Sequence, residues 1–279
     1  MSVGPVNEIA TNFMGFKLAR ILDDTTLLLQ KSLERLTTGL RIVDAGDDPS
    51  GAAHAVKLNS QIRRLNAAET AIANAGDYVQ SQSDFLATVS TKLSRLSELA
   101  VLAQSASIDA STRSSYQLEF SQIQVFISDI GRKTFNNVAL FQNQTSSVID
   151  EDGGQFVLSA ITYSAAFAGG GIGDSFLGTT NLVSTTFAAA AQITISTAIA
   201  NLGMLQARVS SNDSYLTDSA SLLTNLEENL QATLDRVQNT DTTAETEEFN
   251  RLSLLTQTGQ TMLAQYESLR LGLLDLLNV

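Results

Sequence analysis

A heptad repeat of apolar residues occupies residues 58–103, LNSQIRRLNAAETAIANAGDYVQSQSDFLATVSTKLSRLSELAVLA. Apolar residues at this spacing form one stripe on a helix, and a partner helix covers that stripe in a coiled coil. The stretch therefore predicts one long coiled-coil helix. The residues seven apart are Leu58, Leu65, Ile72, Val79, Leu86, Leu93 and Ala100, with Ala68, Ala75, Val89, Leu96 and Ala103 between them.

A second ladder of the same period lies towards the other end of the chain, so two long helices need partners. Its members are Ile195, Leu202, Val209, Leu216, Leu223, Leu230 and Val237. A shorter apolar stripe, separated from the first helix by a polar turn at residues 105–114, predicts an antiparallel helical hairpin with that helix. The stripe consists of Tyr116, Phe120, Ile123, Ile127 and Ile130.

Both ends of the chain repeat the pattern and predict a pair of terminal helices. The N-terminal ladder is Leu22, Leu29, Leu36 and Val43. The C-terminal ladder is Leu252, Gly259, Tyr266 and Leu273, with Leu255, Met262, Leu269 and Leu276 beside it.

Two breaks separate the terminal helices from the long ones. In residues 44–51, Gly46 suits the position after a helix end, Asp48 an N-cap and Pro49 the first helical residue. In the second break, Thr242 and Glu245 have the spacing of a capping box.

The middle of the chain differs, because residues 134–207 contain no Lys or Arg and glycines crowd residues 153–178. Short β-rich pieces at residues 155–160 and 180–184 suggest hairpins and loops. We expect a surface insert outside the core, so that excision of residues 147–184 leaves assembly intact.

The predicted fold is mainly α: an elongated rod of long coiled-coil helices with paired terminal helices and a small β and loop insert. The predicted divisions are residues 1–45 paired with residues 240–279, residues 46–141 with residues 187–239, and the insert at residues 142–186.

Composition excludes several classes of function. The chain of 279 residues has no cysteine and one histidine, which argues against zinc sites, cysteine nucleophiles and disulfides. A net charge of -12 with scattered cations argues against a nucleic-acid partner. Residues 252–279 are too polar to span a membrane, and no signal peptide is visible near the start. We expect no cofactor, no metal and no membrane partner.

Three motifs that resemble active-site elements have simpler interpretations. His54 has no second ligand to complete a metal site. Asp47 and Asp48 precede a proline, where carboxylates cap a helix rather than form a catalytic pair. The glycines of residues 169–173 lack the following Lys of a phosphate loop and indicate a flexible loop. No catalytic centre is expected.

Several segments resemble the bacterial flagellin family. They are Leu33 to Ile42 (LERLTTGLRI), Ala45, Asp47-Asp48, Gly51-Ala52, Glu98 to Val101 (ELAV), Phe135-Asn136, Gly259-Gln260 and Met262 to Gln265 (MLAQ). The resemblance covers about residues 22–141 and 190–277. Two departures are Pro49-Ser50 after the aspartates and the missing C-terminal proline, where the chain reads Glu267 to Leu271 (ESLRL).

The resemblance implies a structural subunit that self-assembles into the flagellar filament for motility. Terminal helices would line the inner core, long helices would form the surrounding shell, and the insert would face solvent. The chain would leave the cell unfolded by flagellar type III export, without a cleaved signal peptide, to an extracellular location. Implied partners are further copies of the chain, hook-associated and cap proteins, and an export chaperone for the C-terminal segment.

The ladders and the resemblance together give three groups of site residues, of which the third comes from the resemblance alone. The inner-core assembly residues are Leu22, Leu29, Leu36, Val43, Leu252, Leu255, Met262, Tyr266 and Leu269. The shell residues are Leu65, Ile72, Val79, Leu86, Leu93, Leu202, Val209, Leu216, Leu223 and Leu230. The residues at a patch that family members present to an innate immune receptor are Arg95, Leu99 and Glu119.

Two alternative functions remain open at this point. The related hook–filament junction protein shares the terminal helices, and its copy number would distinguish it. A filament subunit whose insert carries an adhesin or enzyme activity is the other alternative.

Overall fold

The computed structural model describes residues 6–141, 144–159, 161 and 180–277, with side chains from residue 13 to residue 272 within those ranges. The described helices are α1 (Val6–Thr38), α2 (Pro49–Ala103), α3 (Ala110–Ile130), α4 (Thr185–Gln238) and α5 (Thr242–Leu277). The described strands are β1 (Thr134–Phe135), β2 (Val138–Ala139), β3 (Thr145–Val148) and β4 (Gln155–Leu158). The five described helices hold 199 of the 279 residues, which confirms the predicted mainly α fold.

The chain divides into two compact units. Unit 1 comprises Met1–Ser60 with Asn229–Val279, and unit 2 comprises Gln61–Glu228. The boundaries predicted from the sequence, near residues 45 and 240, lie in the connections between helices. The boundaries between the two units instead fall inside α2 and α4.

In unit 1, α1 and α5 pack as an antiparallel pair. Leu22 lies against Gly259, and the ring of Tyr266 lies against Gly15, so higher numbers on α1 meet lower numbers on α5. An isolated antiparallel bridge between Leu40 and Asn239 continues this alignment beyond both helices. The pair of terminal helices predicted from the two ladders is therefore present in unit 1.

The break after α1 differs from the prediction. Gly39, with a φ of 73°, follows the last residue of α1, and its N–H donates to the Arg35 carbonyl at 2.8 Å. Glycine adopts this left-handed conformation without a steric penalty, so it ends the helix seven residues before Gly46. Val43, which was placed on the terminal helix, lies in the connection.

Aspartates cap both helices that follow the breaks. The Asp48 carboxylate accepts the Gly51 N–H at 2.9 Å, which confirms the predicted cap of α2. At α5 the capping residue is Asp241, whose carboxylate accepts the Thr243 N–H at 2.9 Å. The capping box from Thr242 to Glu245 was wrong by one position, because Asp241 supplies the acceptor and Thr242 is already helical.

In unit 2, α2 and α3 form the predicted antiparallel hairpin. Asp109 caps α3 by accepting the Thr112 N–H at 2.9 Å. The Arg113 guanidinium donates to the Ala103 carbonyl at 3.2 Å and to the Ser105 carbonyl at 3.1 Å, which satisfies acceptors at the end of α2.

Helix α4 runs antiparallel to α2 within unit 2. Side-chain hydrogen bonds join Ser97 to Gln192 at 3.0 Å, and Thr224 to Glu69 at 3.2 Å. The predicted heptad residues form the core between these helices. The fully or almost fully buried members are Leu65, Ile72, Val79, Leu86, Leu93, Leu202, Val209, Leu216 and Leu223.

Two short hairpins also lie in the described part of unit 2. Strands β1 and β2 are joined by Asn136 and Asn137, whose φ values of 47° and 67° suit a tight hairpin turn. Strands β3 and β4 pair from Thr145–Leu158 to Val148–Gln155.

The described part of the insert contributes residues to the core, contrary to the expectation that residues 147–184 lie outside it. Its buried residues are Ser147, Leu158, Ile161 and Leu182. The Phe156 ring stacks on Tyr215 of α4 with centroids 4.0 Å apart. The prediction failed because strands bury alternate residues, and a search for heptads does not detect that period. The glycine run at residues 169–173 lies outside the described residues.

Candidate assembly surface

The contact between α1 and α5 is built from leucines, an aromatic ring and two glycines. Leu22, Leu29 and Leu36 are partly buried on α1, and Leu252 is buried on α5. A Cβ at Gly15 would come within 2.9 Å of the Tyr266 ring, and one at Gly259 within 3.1 Å of the Leu22 side chain. The glycines therefore allow the helices to approach closely and fix their alignment.

A second set of apolar side chains on the same helices lies in solvent. On α5, Leu255, Met262 and Leu269 stand seven residues apart and are 46%, 56% and 69% exposed. On α1 the exposed large apolar residues include Phe13, Phe16, Ile21, Leu27, Leu28 and Leu33. We call these nine residues the terminal apolar surface. Exposed apolar side chains in this number favour an interaction site in a soluble protein.

Ion pairs lie near the C-terminal end of α1 and the N-terminal end of α5. The Lys31 ammonium lies 2.8 Å from the Asp47 carboxylate and, as the donor of that hydrogen bond, lowers the pKa of Asp47. The Gly51 N–H lowers the pKa of the Asp48 carboxyl, with a smaller contribution from Arg41. Arg35 pairs loosely with Glu245 at 3.8 Å. The contacts of Asp47 with Lys31 and of Asp48 with Gly51 give both aspartates a structural role.

Two further findings concern ligands and membranes. No group of three or more His, Asp or Glu side chains that could hold a metal ion occurs among the residues the structure describes, and His54 is exposed. One described helix, α4, contains an 18-residue window with a mean hydropathy of 1.3, which is long and apolar enough to cross a membrane by composition alone. Core helices of soluble proteins have the same composition, so this window alone does not indicate a membrane-spanning helix.

Comparison with known families identifies the two helical ends of the chain. Residues 9–146 match the bacterial flagellin N-terminal helical region, and residues 186–277 match the bacterial flagellin C-terminal helical region. The chain belongs to the bacterial flagellin family. It is a structural subunit of the flagellar filament, which is extracellular, and its family is one of structural proteins.

Individual relatives agree over most of this flagellin. It is 29% identical to flagellin FlaB2 of Treponema pallidum over 92% of this chain and 95% of that protein. It is 31% identical to a flagellin of Halalkalibacterium halodurans over 89% of this chain and 91% of that protein.

A solved structure described as a flagellar hook-associated protein from Vibrio parahaemolyticus aligns with a TM-score of 0.60. The alignment covers 69% of this chain and all of that one at 13% identity, so it concerns the fold alone.

The predicted site residues fall into three environments in this flagellin. The nine inner-core residues divide between the α1 and α5 contact, the terminal apolar surface and, for Val43, the connection after α1. The shell residues are core residues, with Leu230 only partly buried. The predicted assembly residues do not include exposed α1 residues such as Phe13 and Phe16, which lie outside the ladder through Leu22.

The residues predicted for a receptor patch do not share one surface. Arg95 and Glu119 are joined across α2 and α3 at 2.7 Å, and Glu98 accepts a second hydrogen bond from Arg95 at 2.9 Å. The Arg95 guanidinium lowers the pKa of Glu119. Leu99 is fully buried, so its side chain is not available to a partner of the folded chain.

Proposed function

We propose that this flagellin assembles into the filament by packing its terminal apolar surface against the terminal helices of neighbouring copies. The observation that carries the proposal is the row Leu255, Met262 and Leu269, which follows the helical period but is 46% to 69% exposed among the residues that the structure describes. In an isolated pair, each helix has one neighbour and leaves its other apolar side chains in water.

The energetic argument favours a second copy as the covering partner. Burying one large aliphatic side chain stabilises a complex by about 1.5 to 3 kcal/mol when the whole side chain leaves water. Nine such residues, each only partly covered in the single chain, provide enough apolar surface for contacts on more than one side. A tubular polymer supplies neighbours on several sides, whereas a dimer supplies only one.

The same surface offers a reason for a chaperone during export. A C-terminal segment with exposed Leu255, Met262 and Leu269 would associate prematurely unless another protein covered it. Export of an unfolded chain through the type III channel, without a cleaved signal peptide, accords with the absence of cysteine and the presence of only two prolines. Hook-associated and cap proteins would contact the first and last subunits of the polymer.

The absence of a catalytic role is part of the same proposal. Asp47 and Asp48, the acid pair singled out in the sequence, are engaged with Lys31 and the start of α2. Recognition by an innate immune receptor remains a prediction that depends on Arg95 and Glu119, since Leu99 is buried. Binding of the purified monomer to that receptor tests it.

A triple substitution tests the assembly proposal. Leu255→Gln, Met262→Gln and Leu269→Gln together remove the apolar row and retain good helix formers. We expect a folded monomer with an unchanged circular dichroism spectrum that does not extend filament seeds in negative-stain images.

The matched control places glutamine at three exposed polar positions of the same helix, Asn250, Thr261 and Ser268. We expect this variant to polymerise like the parent chain. Normal filaments from the apolar-row variant would refute the proposal.

A further inference from the structure

Methionine supplies all the sulfur of this chain, which has four methionines and no cysteine. The three that the structure describes, Met14, Met204 and Met262, are 60%, 60% and 56% exposed. Methionine is one of the residue types most often fully buried in folded proteins, so the exposure of all three is unusual. An exposed thioether is open to two-electron oxidants, and no thiol in the chain competes for them.

The position of Met262 distinguishes it from the other two. It is the central member of the row Leu255, Met262 and Leu269 in the terminal apolar surface. Met14 on α1 and Met204 on α4 lie outside this row. A chemical change at Met262 therefore acts in the middle of the surface that we assign to assembly.

Oxidation of Met262 by hydrogen peroxide is an oxygen transfer. A lone pair of the thioether Sδ attacks one peroxide oxygen, the O–O bond breaks, and an S–O bond forms. The proton on the transferred oxygen passes to the leaving hydroxide, so the products are a sulfoxide and water. Sulfur loses two electrons and the peroxide gains them. The apolar side chain becomes a polar one.

A sulfoxide is poorly accommodated in a contact made by this row. Leu255 and Leu269 on either side of Met262 are hydrocarbon side chains and donate no hydrogen bond. Water solvates the sulfoxide in the free monomer, whereas burial against apolar side chains removes that water without replacing its hydrogen bonds. Oxidation therefore disfavours the assembled state relative to the monomer. Because Met262 is exposed in the single chain, the core of each unit is not disturbed.

We propose that Met262 is an oxidation-sensitive site, at which a sulfoxide reversibly prevents addition of the subunit to the filament. The proposal rests on the proposed assembly function and adds its regulation by peroxide. The thioether is accessible in the monomer and covered in the filament, so oxidation acts on subunits before they assemble. Methionine sulfoxide reductases return the sulfoxide to the thioether with a dithiol as the electron donor, and the dithiol becomes a disulfide as water is released.

Two chains that differ only at residue 262 test the proposal. The first carries Met14→Leu and Met204→Leu, and the second carries Met262→Leu as well. Exchange of methionine for leucine nearly conserves volume, so both chains should fold, and both retain Met1. The critical concentration is the soluble protein concentration that remains when seeded polymerisation reaches its plateau.

Peroxide treatment of the two monomers should separate them. Burial of an unsolvated polar group should raise the critical concentration of the first chain about tenfold or more, and that of the second chain should stay unchanged. The circular dichroism spectrum of each monomer should be the same before and after treatment. Equal critical concentrations for the two treated chains, with complete oxidation of Met262 shown by peptide mass spectrometry, would overturn the proposal.

Reversal is the second part of the test. Methionine sulfoxide reductases A and B with dithiothreitol should restore the original critical concentration of the first chain. The dithiol has no disulfide to break in a chain without cysteine. A critical concentration that stays high after the sulfoxide has gone would assign the defect to other damage and overturn the proposal.

A measurement on the unsubstituted chain needs no variant. Partly oxidised monomer is polymerised on seeds, and the pellet and the supernatant are digested separately for mass spectrometry. The Met262 sulfoxide should be enriched in the supernatant, and intact filaments in peroxide should oxidise Met262 more slowly than monomers do. Equal fractions of the sulfoxide in pellet and supernatant would overturn the proposal.

The outcomes distinguish this proposal from the assembly function. Normal filaments from the glutamine variant of the apolar row would refute the assembly function and, with it, the oxidation site. Failure of that variant to polymerise, together with filaments that accept the Met262 sulfoxide as readily as the thioether, would refute the oxidation site alone.

Discussion

Leu269→Gln isolates the contribution of one residue of the terminal apolar surface to polymerisation. Leu269 is 69% exposed on α5, so a neighbouring subunit can remove most of its side chain from water. Full burial of a leucine contributes about 1.5 to 3 kcal/mol, and covering this exposed fraction corresponds to about 1 to 2 kcal/mol per added subunit. Since 1.4 kcal/mol is a factor of ten in an equilibrium constant, we expect the critical concentration to rise about 5- to 30-fold.

The assay is sedimentation of seeded filaments over a range of total protein concentration, with the soluble plateau giving the critical concentration. Ser268→Gln, at the adjacent exposed position, is the control and should leave that plateau unchanged. Thermal unfolding of the Leu269→Gln monomer should also match the parent, because surface substitutions usually change stability by less than about 0.5 kcal/mol. An unchanged critical concentration for Leu269→Gln would refute the assignment of this residue to an intersubunit contact.

Four other substitutions test the units separately. Leu93→Asp buries an unpaired carboxylate at a fully buried position and should prevent a stable unit 2, which loss of cooperative thermal unfolding would show; unchanged melting would contradict this. Leu158→Ala should destabilise unit 2 by about 2 to 5 kcal/mol in denaturant titrations, a result that a peripheral insert would not give. Asp48→Ala removes the cap of α2 and should lower the melting temperature of the monomer, whereas Asp44→Ala, at an exposed position in the same connection, should leave it nearly unchanged. The pKa of Asp47 is lowered in the folded chain, so its carboxylate stabilises the fold at pH values above the ordinary pKa of 3.8 and loses that contribution as the pH falls through the lowered pKa. Asp47→Asn should therefore show a smaller fall in melting temperature in acid than the parent chain. Identical pH profiles for the two chains would contradict this.

The helices were predictable because their cause is local. Heptad residues such as Leu65, Leu86 and Leu216 identify α2 and α4 by spacing alone, and Asp48 before Pro49 indicates where α2 begins. The helix ends were less predictable where two nearby residues were equally suited to end the helix. Gly39 and Gly46 both suit a helix terminus, and the positive φ of Gly39 together with the bridge between Leu40 and Asn239 shows that the chain leaves the helix at Gly39.

The described part of the insert was mispredicted because its packing depends on distant residues. The Gln61 side-chain amide on α2 donates to the Glu151 carboxylate at 3.1 Å. The Asn212 side chain accepts the Ser159 N–H at 3.4 Å. These polar residues interrupt the apolar ladders of α2 and α4, so a search for apolar periodicity treats them as surface residues. Their partners are defined only once the hairpins lie against the helices.

The candidate site shows a different limit of sequence reasoning. Leu93 and Leu269 belong to ladders with the same seven-residue period, yet one is fully buried and the other is 69% exposed. Periodicity indicates that a side chain suits burial, and the number of neighbouring helices determines whether the same chain can bury it. In unit 2, α2 has both α3 and α4 beside it, whereas α5 has α1 as its described neighbour. An apolar ladder on a helix with too few neighbours therefore points to a partner outside the chain, and a filament subunit obtains that partner from its own copies.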